Sequence, residues 1–188
     1  MTVALYVEGD APSSPWQRQS VALQCRGTSV ASKRQRIERI IMPNTIRLHR
    51  VLRAAPEKVY RAFLDPDAMA KWLPPNGFTG KVHQIDAKEG GSYRMSFSNF
   101  TTCQSHSFGG TYRELVPNER IRYTDKFDDP NLSGDMEVTI TLKEISCGTE
   151  LNIVQEGVPD VIPAEMCYLG WQESLILLAK LVEAEIPG

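Results

Sequence analysis

The stretch that decides the fold is PAEMCYLGWQESLILLAKLVEAEI, residues 163–186, near the end of the chain. Apolar residues recur in it at spacings of three and four, the repeat of one face of a helix. They are Tyr168, Trp171, Leu175, Leu178 and Val182. Asp160 and Pro163 stand where a capping acceptor and a first helical turn are expected. The pattern predicts one long helix over residues 163–186, whose aromatic stripe needs a broad apolar partner.

The segment before this helix predicts a sheet. A first strand begins at residue 45, with Ile46, Leu48 and Val51 as its apolar face, and two short helices follow it, opened by Pro56 and Asp65. After Gly77 come about six stretches of alternating apolar and polar residues, separated by turn residues. The clearest apolar faces are those of Tyr93, Met95 and Phe97 in one stretch and of Met136, Val138, Ile140 and Leu142 in another. In α+β folds the strands follow one another in the chain and the helices are grouped separately, rather than alternating with the strands. We therefore predict a curved antiparallel sheet of about six to seven strands, wrapped around the C-terminal helix.

Residues 1–44 differ from the remainder of the chain. They are rich in basic and small polar residues and show no sustained hydrophobic period. We therefore predict a disordered or loosely attached extension over residues 1–44 and one folded domain over residues 45–188. The regular pattern begins only after Met42, which makes Met42 an alternative start of the protein.

Composition and charge exclude several classes of protein. Hydrophobic residues make up 41% and charged residues 23% of the chain, a balance typical of a globular domain. No apolar run approaches the roughly 20 residues of a membrane helix. The net charge of −2 gives no electrostatic reason to expect a nucleic acid or a membrane as partner. The four cysteines lack a C-x-x-C pair, so we expect reduced thiols in the cytoplasm, with no metal and no cofactor.

A series of short fragments carries a resemblance to a known family. They are APEKVYRAF (residues 55–63), DP (65–66), KW (71–72), GSYR (91–94), GTYRE (110–114), PNERI (117–121), GTEL (148–151) and GWQESL (170–175). In this order and spacing they resemble the START-like, or SRPBCC, superfamily. Within it the chain is similar to the activator of Hsp90 ATPase branch, which includes bacterial polyketide cyclase-like proteins. The resemblance implies a helix-grip fold, which by itself specifies no function, because such folds host carriers, enzymes and partner-binding modules.

The resemblance also implies a ligand cavity between the long helix and the sheet. The residues expected to line it are Trp72, Tyr93, Met95, Phe97, Phe108, Tyr112, Tyr168, Trp171 and Leu175. Large aromatic side chains on a concave sheet leave gaps that an apolar ligand can fill, and the polar ends of Tyr and Trp can orient it. The alternative is that these side chains simply fill the core. We therefore expect a small hydrophobic or aromatic molecule as the partner.

Two other functions stay open at this point. An enzyme of the polyketide cyclase, aromatase or hydrolase type needs an inward polar group, for which His106 and Glu114 are catalytic candidates beside Tyr112. In a regular strand His106 and Tyr112 lie on the same face, unless a bulge at Gly109 and Gly110 places them on opposite faces. No common catalytic motif is present, which favours a binding protein over an enzyme. The other alternative is a stress-response module that binds an Hsp90-type chaperone, and the sequence is compatible with either a monomer or a homodimer.

Overall fold

The computed structural model describes residues 44–132 and 134–185. The predicted extension lies outside the described residues except for Asn44, and so does Met42. In chain order the elements are β1 (Asn44–Leu52), α1 (Pro56–Ala62), α2 (Pro66–Trp72), β2 (Phe78–Ile85), β3 (Ser92–Asn99), β4 (Ser105–Val116), β5 (Arg120–Phe127), β6 (Met136–Ile145), β7 (Gly148–Val158) and α3 (Ala164–Val182). A short 3-10 helix, Pro130–Leu132, lies between β5 and β6.

The seven strands form one antiparallel sheet in the order β1-β7-β6-β5-β4-β3-β2. Strands β2 to β7 follow one another as hairpins, and Gly90 and Asn118 adopt positive φ angles of 79° and 64° in two of the turns. Because β1 and β2 lie at opposite edges, the connection through α1 and α2 crosses the sheet. Helix α2 packs against β2 and α3, and α3 packs against β1. The predicted α+β helix-grip fold is confirmed.

Helices α1 and α2 begin as the sequence predicts. Pro56 occupies the first turn of α1, where its missing N–H costs no hydrogen bond. The Asp65 side chain accepts a hydrogen bond from the Ala68 N–H at 2.9 Å and so caps α2. The indole N–H of Trp72 donates to the Ala62 carbonyl at 2.8 Å. This bond ties the end of α2 to the end of α1, so the two helices form one unit over the sheet.

Helix α3 is shorter than predicted, and its buried face includes four of the five residues of the predicted stripe. It ends at Val182, and Pro163 rather than Asp160 occupies the N-cap position. The buried residues of the helix are Cys167, Gly170, Trp171, Ser174, Leu175, Leu178, Ala179 and Val182. Tyr168, which the sequence placed on the stripe, is 40% exposed. The buried face also includes the polar residue Ser174, whose hydroxyl donates to the Leu73 carbonyl at the end of α2 at 2.6 Å.

The two-residue alternation along β1 corrects one sequence prediction. Val51, predicted to mark the inward face of the first strand, is 43% exposed, whereas Leu52 is completely buried. The repeat that starts at Ile46 and Leu48 continues unbroken to Leu52. Elsewhere the predicted inward sets are confirmed as buried, namely Tyr93, Met95 and Phe97 on β3 and Met136, Val138, Ile140 and Leu142 on β6.

Candidate functional site

A small cavity lies between the helices and the sheet. Its wall is formed by Phe63, Met69, Trp72, Leu73, Tyr93, Phe108, Tyr112 and Tyr123. The first four come from the α1–α2 unit and the last four from strands β3, β4 and β5. The cavity volume is about 10 Å³, at the lower limit of the space that one water molecule needs. In this conformation the cavity is therefore too small for an organic ligand.

Three tyrosines from neighbouring strands form the sheet side of the cavity. The ring centroid of Tyr93 lies 5.6 Å from that of Tyr112 and 5.5 Å from that of Tyr123, and Tyr112 and Tyr123 are 6.2 Å apart. We call these residues the tyrosine cluster. Burial raises the pKa of all three phenols above the ordinary value of 10.0. Each is therefore a neutral hydroxyl at physiological pH and can both donate and accept a hydrogen bond.

Asp125 lies beside the tyrosine cluster and is completely buried. It follows Tyr123 by two residues on β5, so both side chains project from the inward face of the strand. Neither Asp125 carboxylate oxygen has a hydrogen bond of normal geometry, and the buried Tyr112 hydroxyl likewise has no hydrogen-bond partner. Native proteins seldom leave such groups unpaired, because the desolvation cost is not recovered.

The ionisation of Asp125 reflects this environment. Burial raises the pKa of its carboxyl from 3.8 to about 7, opposed by the nearby Tyr93 hydroxyl and Lys126 N–H, which favour the charged form. Both donors lie near enough to act on the charge, but neither forms a full hydrogen bond with the carboxylate. Asp125 therefore retains the capacity to accept hydrogen bonds.

Two glycines allow the strands of the site to approach closely. A Cβ atom on Gly109 would lie 2.3 Å from the Tyr93 carbonyl oxygen, and one on Gly110 would lie 1.7 Å from the Thr124 carbonyl oxygen. The pairing of β3 with β4 runs through both glycines without a shift in register. The glycines therefore allow neighbouring strand backbones to approach closely and introduce no bulge between β3 and β4. In its pairing with β3, His106 keeps the predicted face of the strand, the same as Tyr112.

The structure distributes the nine predicted lining residues over three environments. Those that line the cavity are Trp72, Tyr93, Phe108 and Tyr112. Those that are buried in the core outside the cavity wall are Met95, Phe97, Trp171 and Leu175. Tyr168 lies on the exposed side of α3, away from the core. Contact of any of these residues with a ligand stays a prediction.

The two catalytic candidates from the sequence lie on opposite faces of β4. His106 pairs with Phe97, so its half-buried side chain lies on the inward face at the start of the strand. Glu114 pairs with Arg122, on the outer face of β5. Its carboxylate lies 3.4 Å from Arg120 and 3.6 Å from Arg122. Glu114 therefore belongs to a surface ion-pair network and has no access to the cavity.

A second buried polar cluster lies beneath α3. The Trp171 indole N–H donates to Gln155 Oε1 at 2.6 Å, and the Cys167 thiol lies 3.4 Å from the same oxygen. The Gln155 amide nitrogen lies 3.3 Å from the sulfur of Met136. Burial raises the pKa of Cys167 to about 11, so this thiol stays protonated. The polar end of Trp171 is thus engaged within the core and is not available to orient a ligand.

Sequence reasoning missed Tyr123 and Asp125, although the strand that carries them was predicted correctly. The inward positions of β5 are Ile121, Tyr123, Asp125 and Phe127. A carboxylate at an apolar position of an alternating strand was the signal available in the sequence. It pointed to a buried acid, which is a common feature of functional sites.

A membrane-spanning helix and a metal site are both absent from the described residues. No helix among residues 44–132 and 134–185 is long and apolar enough to cross a membrane. The same residues contain no group of three or more His, Cys, Asp or Glu side chains arranged to hold a metal ion.

Comparisons with known proteins agree with this architecture. A crystal structure of a protein from Chromobacterium violaceum is 67% identical, with a TM-score of 0.76, and the match covers 77% of this chain and 100% of that one. The AHSA1-like protein from Aeromonas hydrophila is 20% identical, with a TM-score of 0.62 over 74% of this chain and 92% of that one, and shares the fold. No curated protein matches the chain. Residues 53–183 match the family described as "Activator of Hsp90 ATPase homolog 1-like protein", and the chain belongs to that family.

Proposed function

We propose that this protein binds a small hydrophobic or aromatic molecule between the α1–α2 unit and the sheet. The observation that carries the proposal is the Tyr112 hydroxyl, which is buried without a hydrogen-bond partner in the wall of an aromatic cavity. Concave, mostly apolar sites with a few convergent polar groups are the usual form of a ligand pocket. A ligand that offered a polar atom to Tyr112 would recover the cost of burying that hydroxyl.

Binding requires the cavity to expand beyond its volume of about 10 Å³. The helix side of the wall is the part that can move, because its displacement breaks no strand pairing. Two contacts with α3 hold this side in place. The Ser174 hydroxyl donates to the Leu73 carbonyl at 2.6 Å, and the Asn76 N–H donates to the Glu173 carboxylate at 3.0 Å. In the proposal, the ligand stabilises a conformation in which α2 lies farther from the sheet.

The proposal is tested by native mass spectrometry of gently purified protein and by an amide NMR titration with 1-naphthalenemethanol, a neutral aromatic probe. We expect a reproducible small-molecule adduct or, for the apo protein, probe-induced shifts at α2 and at the inward residues of β3–β5. Met69→Phe, which adds volume to the wall, should weaken both signals. Ile176→Phe adds a ring on the exposed side of α3 and serves as the matched control. A spectrum unchanged at saturating probe, with no adduct, would contradict the proposal.

Asp125 favours a second candidate function, proton transfer to or from a bound molecule. A buried carboxyl whose pKa is about 7 is matched to general acid–base chemistry at neutral pH. The test is to incubate the protein with the molecule extracted from it and to follow that molecule by NMR. A chemical change that the wild type produces and Asp125→Asn does not would support catalysis, and an unchanged spectrum over many hours would oppose it.

A further inference from the structure

A buried carboxyl group lies beside the sheet side of the cavity, and no Lys, Arg or His among the described residues pairs with it. Asp125 is completely buried beside two of the cavity-lining tyrosines, Tyr93 and Tyr123. The cavity wall contains no Lys, Arg or His among the described residues. Lys126, the next residue along β5, has an exposed side chain whose Nζ atom pairs with Asp135 at 3.4 Å. An anion that entered this region would therefore meet like charge in a low-dielectric environment.

None of the other titratable groups near Asp125 in the described part of the chain supplies a positive charge to it. The three tyrosines are neutral because burial raises the pKa of each. The Cys167 thiol, from α3, is kept protonated by burial and lies against Gln155. His106, near the start of β4, pairs with Phe97 on β3. Farther along β4, Gly109 pairs with Lys126, the residue that follows Asp125 on β5. At about 3.3 Å per residue, this separation places His106 roughly 10 Å along the strand from the carboxylate.

The groups that are present match the chemistry of a protonated amine. The faces of tyrosine rings attract cations through their quadrupoles, more strongly when water is excluded. Phenol oxygens accept hydrogen bonds from an ammonium group, and a carboxylate accepts the shorter and stronger charge-assisted ones. The Tyr112 hydroxyl and both Asp125 oxygens have capacity for such bonds. A neutral ligand would use the hydroxyl and leave the charge of Asp125 unbalanced.

We infer that Asp125 and the tyrosine cluster form a recognition site for the protonated amine of an aromatic or otherwise apolar ligand. The amine lies against the tyrosine hydroxyls, and Asp125 provides the counter-charge. The site disfavours carboxylates and phosphates. This inference rests on the proposed function, because the amine reaches the site only when the apolar part of the ligand occupies the cavity.

The test uses three probes with one naphthalene ring and different polar ends: 1-naphthylmethylamine, 1-naphthalenemethanol and 1-naphthoate. Dissociation constants are measured on the full chain by NMR titration near pH 7.5 at constant ionic strength. We expect the amine to bind at least about tenfold more tightly than the alcohol, the scale of one charged hydrogen bond. The carboxylate should bind most weakly of the three.

The Asp125→Asn variant separates a charge effect from a structural one. It should abolish the preference for the amine over the alcohol and leave the affinity for the alcohol within about threefold of the wild type, whereas a merely structural role would weaken all three probes together. Asp128→Asn, which removes an exposed carboxylate that pairs with Arg94, is the matched control and should keep the preference. If Asp125→Asn does not fold, Asp125→Leu replaces the buried charge with an apolar side chain of similar size and should give the same result.

The possible outcomes separate the inference from the proposed function. Equal binding of amine and alcohol, tightest binding of the carboxylate, or a preference that survives in the Asp125 variants would overturn the inference. Binding of the alcohol would still support a ligand cavity in each of these cases. If no probe shifts the resonances of the cavity residues, both the cavity proposal and the amine site are wrong.

Discussion

The indole N–H of Trp171 donates to Gln155 Oε1 at 2.6 Å, and both side chains are completely buried. The bond joins α3 to β7 across the core, so it fixes the position of the long helix on the sheet. Gln155 also contacts Cys167 and Met136 through its two polar ends. Trp171, which the sequence suggested as a ligand contact, is therefore an anchor of the fold in this structure.

Trp171→Phe is expected to destabilise the protein by about 1–3 kcal/mol, because it removes a donor from a buried amide oxygen and a part of the ring volume. Gln155→Leu should cost a similar amount, since it leaves the indole N–H unpaired. The double variant should cost clearly less than the sum of the two, which a urea denaturation cycle measures. Strict additivity would show that the hydrogen bond contributes nothing to stability.

Gly110→Ala is expected to prevent folding or to cost several kcal/mol. Its Cβ atom would lie 1.7 Å from the Thr124 carbonyl oxygen, a distance that only separation of β4 from β5 can relieve. Gly90→Ala is the control. It meets no atom within 4 Å but has a φ of +79°, so it should cost only about 1 kcal/mol of backbone strain. Urea denaturation of both variants checks the comparison, and equal costs would contradict it.

The fold could be predicted in most respects because its signals are local. The alternation along β3 and β6, the Asp65 cap and the proline at the start of α1 each depend on a few neighbouring residues. The burial of Ser174 could not be predicted in this way, because its hydroxyl bonds to the Leu73 carbonyl, 101 positions away in the chain.

The candidate site was predictable only in part, for a similar reason. The family resemblance led to the expectation of Tyr93, Phe108 and Tyr112 at the cavity, whereas the alternation along β5 would have identified Asp125 as an inward residue. The volume of the cavity could not be predicted, because it depends on how four side chains of the α1–α2 unit pack against the sheet. A sequence pattern states which face a side chain occupies and does not state how much space is left.

Ser174→Ala is expected to loosen α2 without disturbing the sheet. The variant removes the hydroxyl that donates to the Leu73 carbonyl, at a cost of about 1 kcal/mol. Amide hydrogen exchange should become several-fold faster at Met69 and Leu73, whose N–H groups bond within α2 and its flanks, and should stay unchanged in β5. Gln172→Ala, on the exposed face of α3, is the control. Uniform acceleration throughout the sheet would mean that α2 does not open independently.

Stability is expected to depend on pH through Asp125. Burial raises the pKa of its carboxyl from 3.8 to about 7, so the folded protein binds this proton more tightly than the unfolded chain does. The resulting stabilisation is fully present below about pH 4 and is lost as the pH rises toward 7. Between about pH 5 and pH 7, the free energy of unfolding of the wild type should fall by about 2 kcal/mol relative to Asp125→Asn, which lacks the titrating group. Urea denaturation of both proteins at several pH values measures this difference. A difference that stayed constant, or that grew in favour of the wild type as the pH rose, would show that the folded-state pKa of Asp125 is not raised.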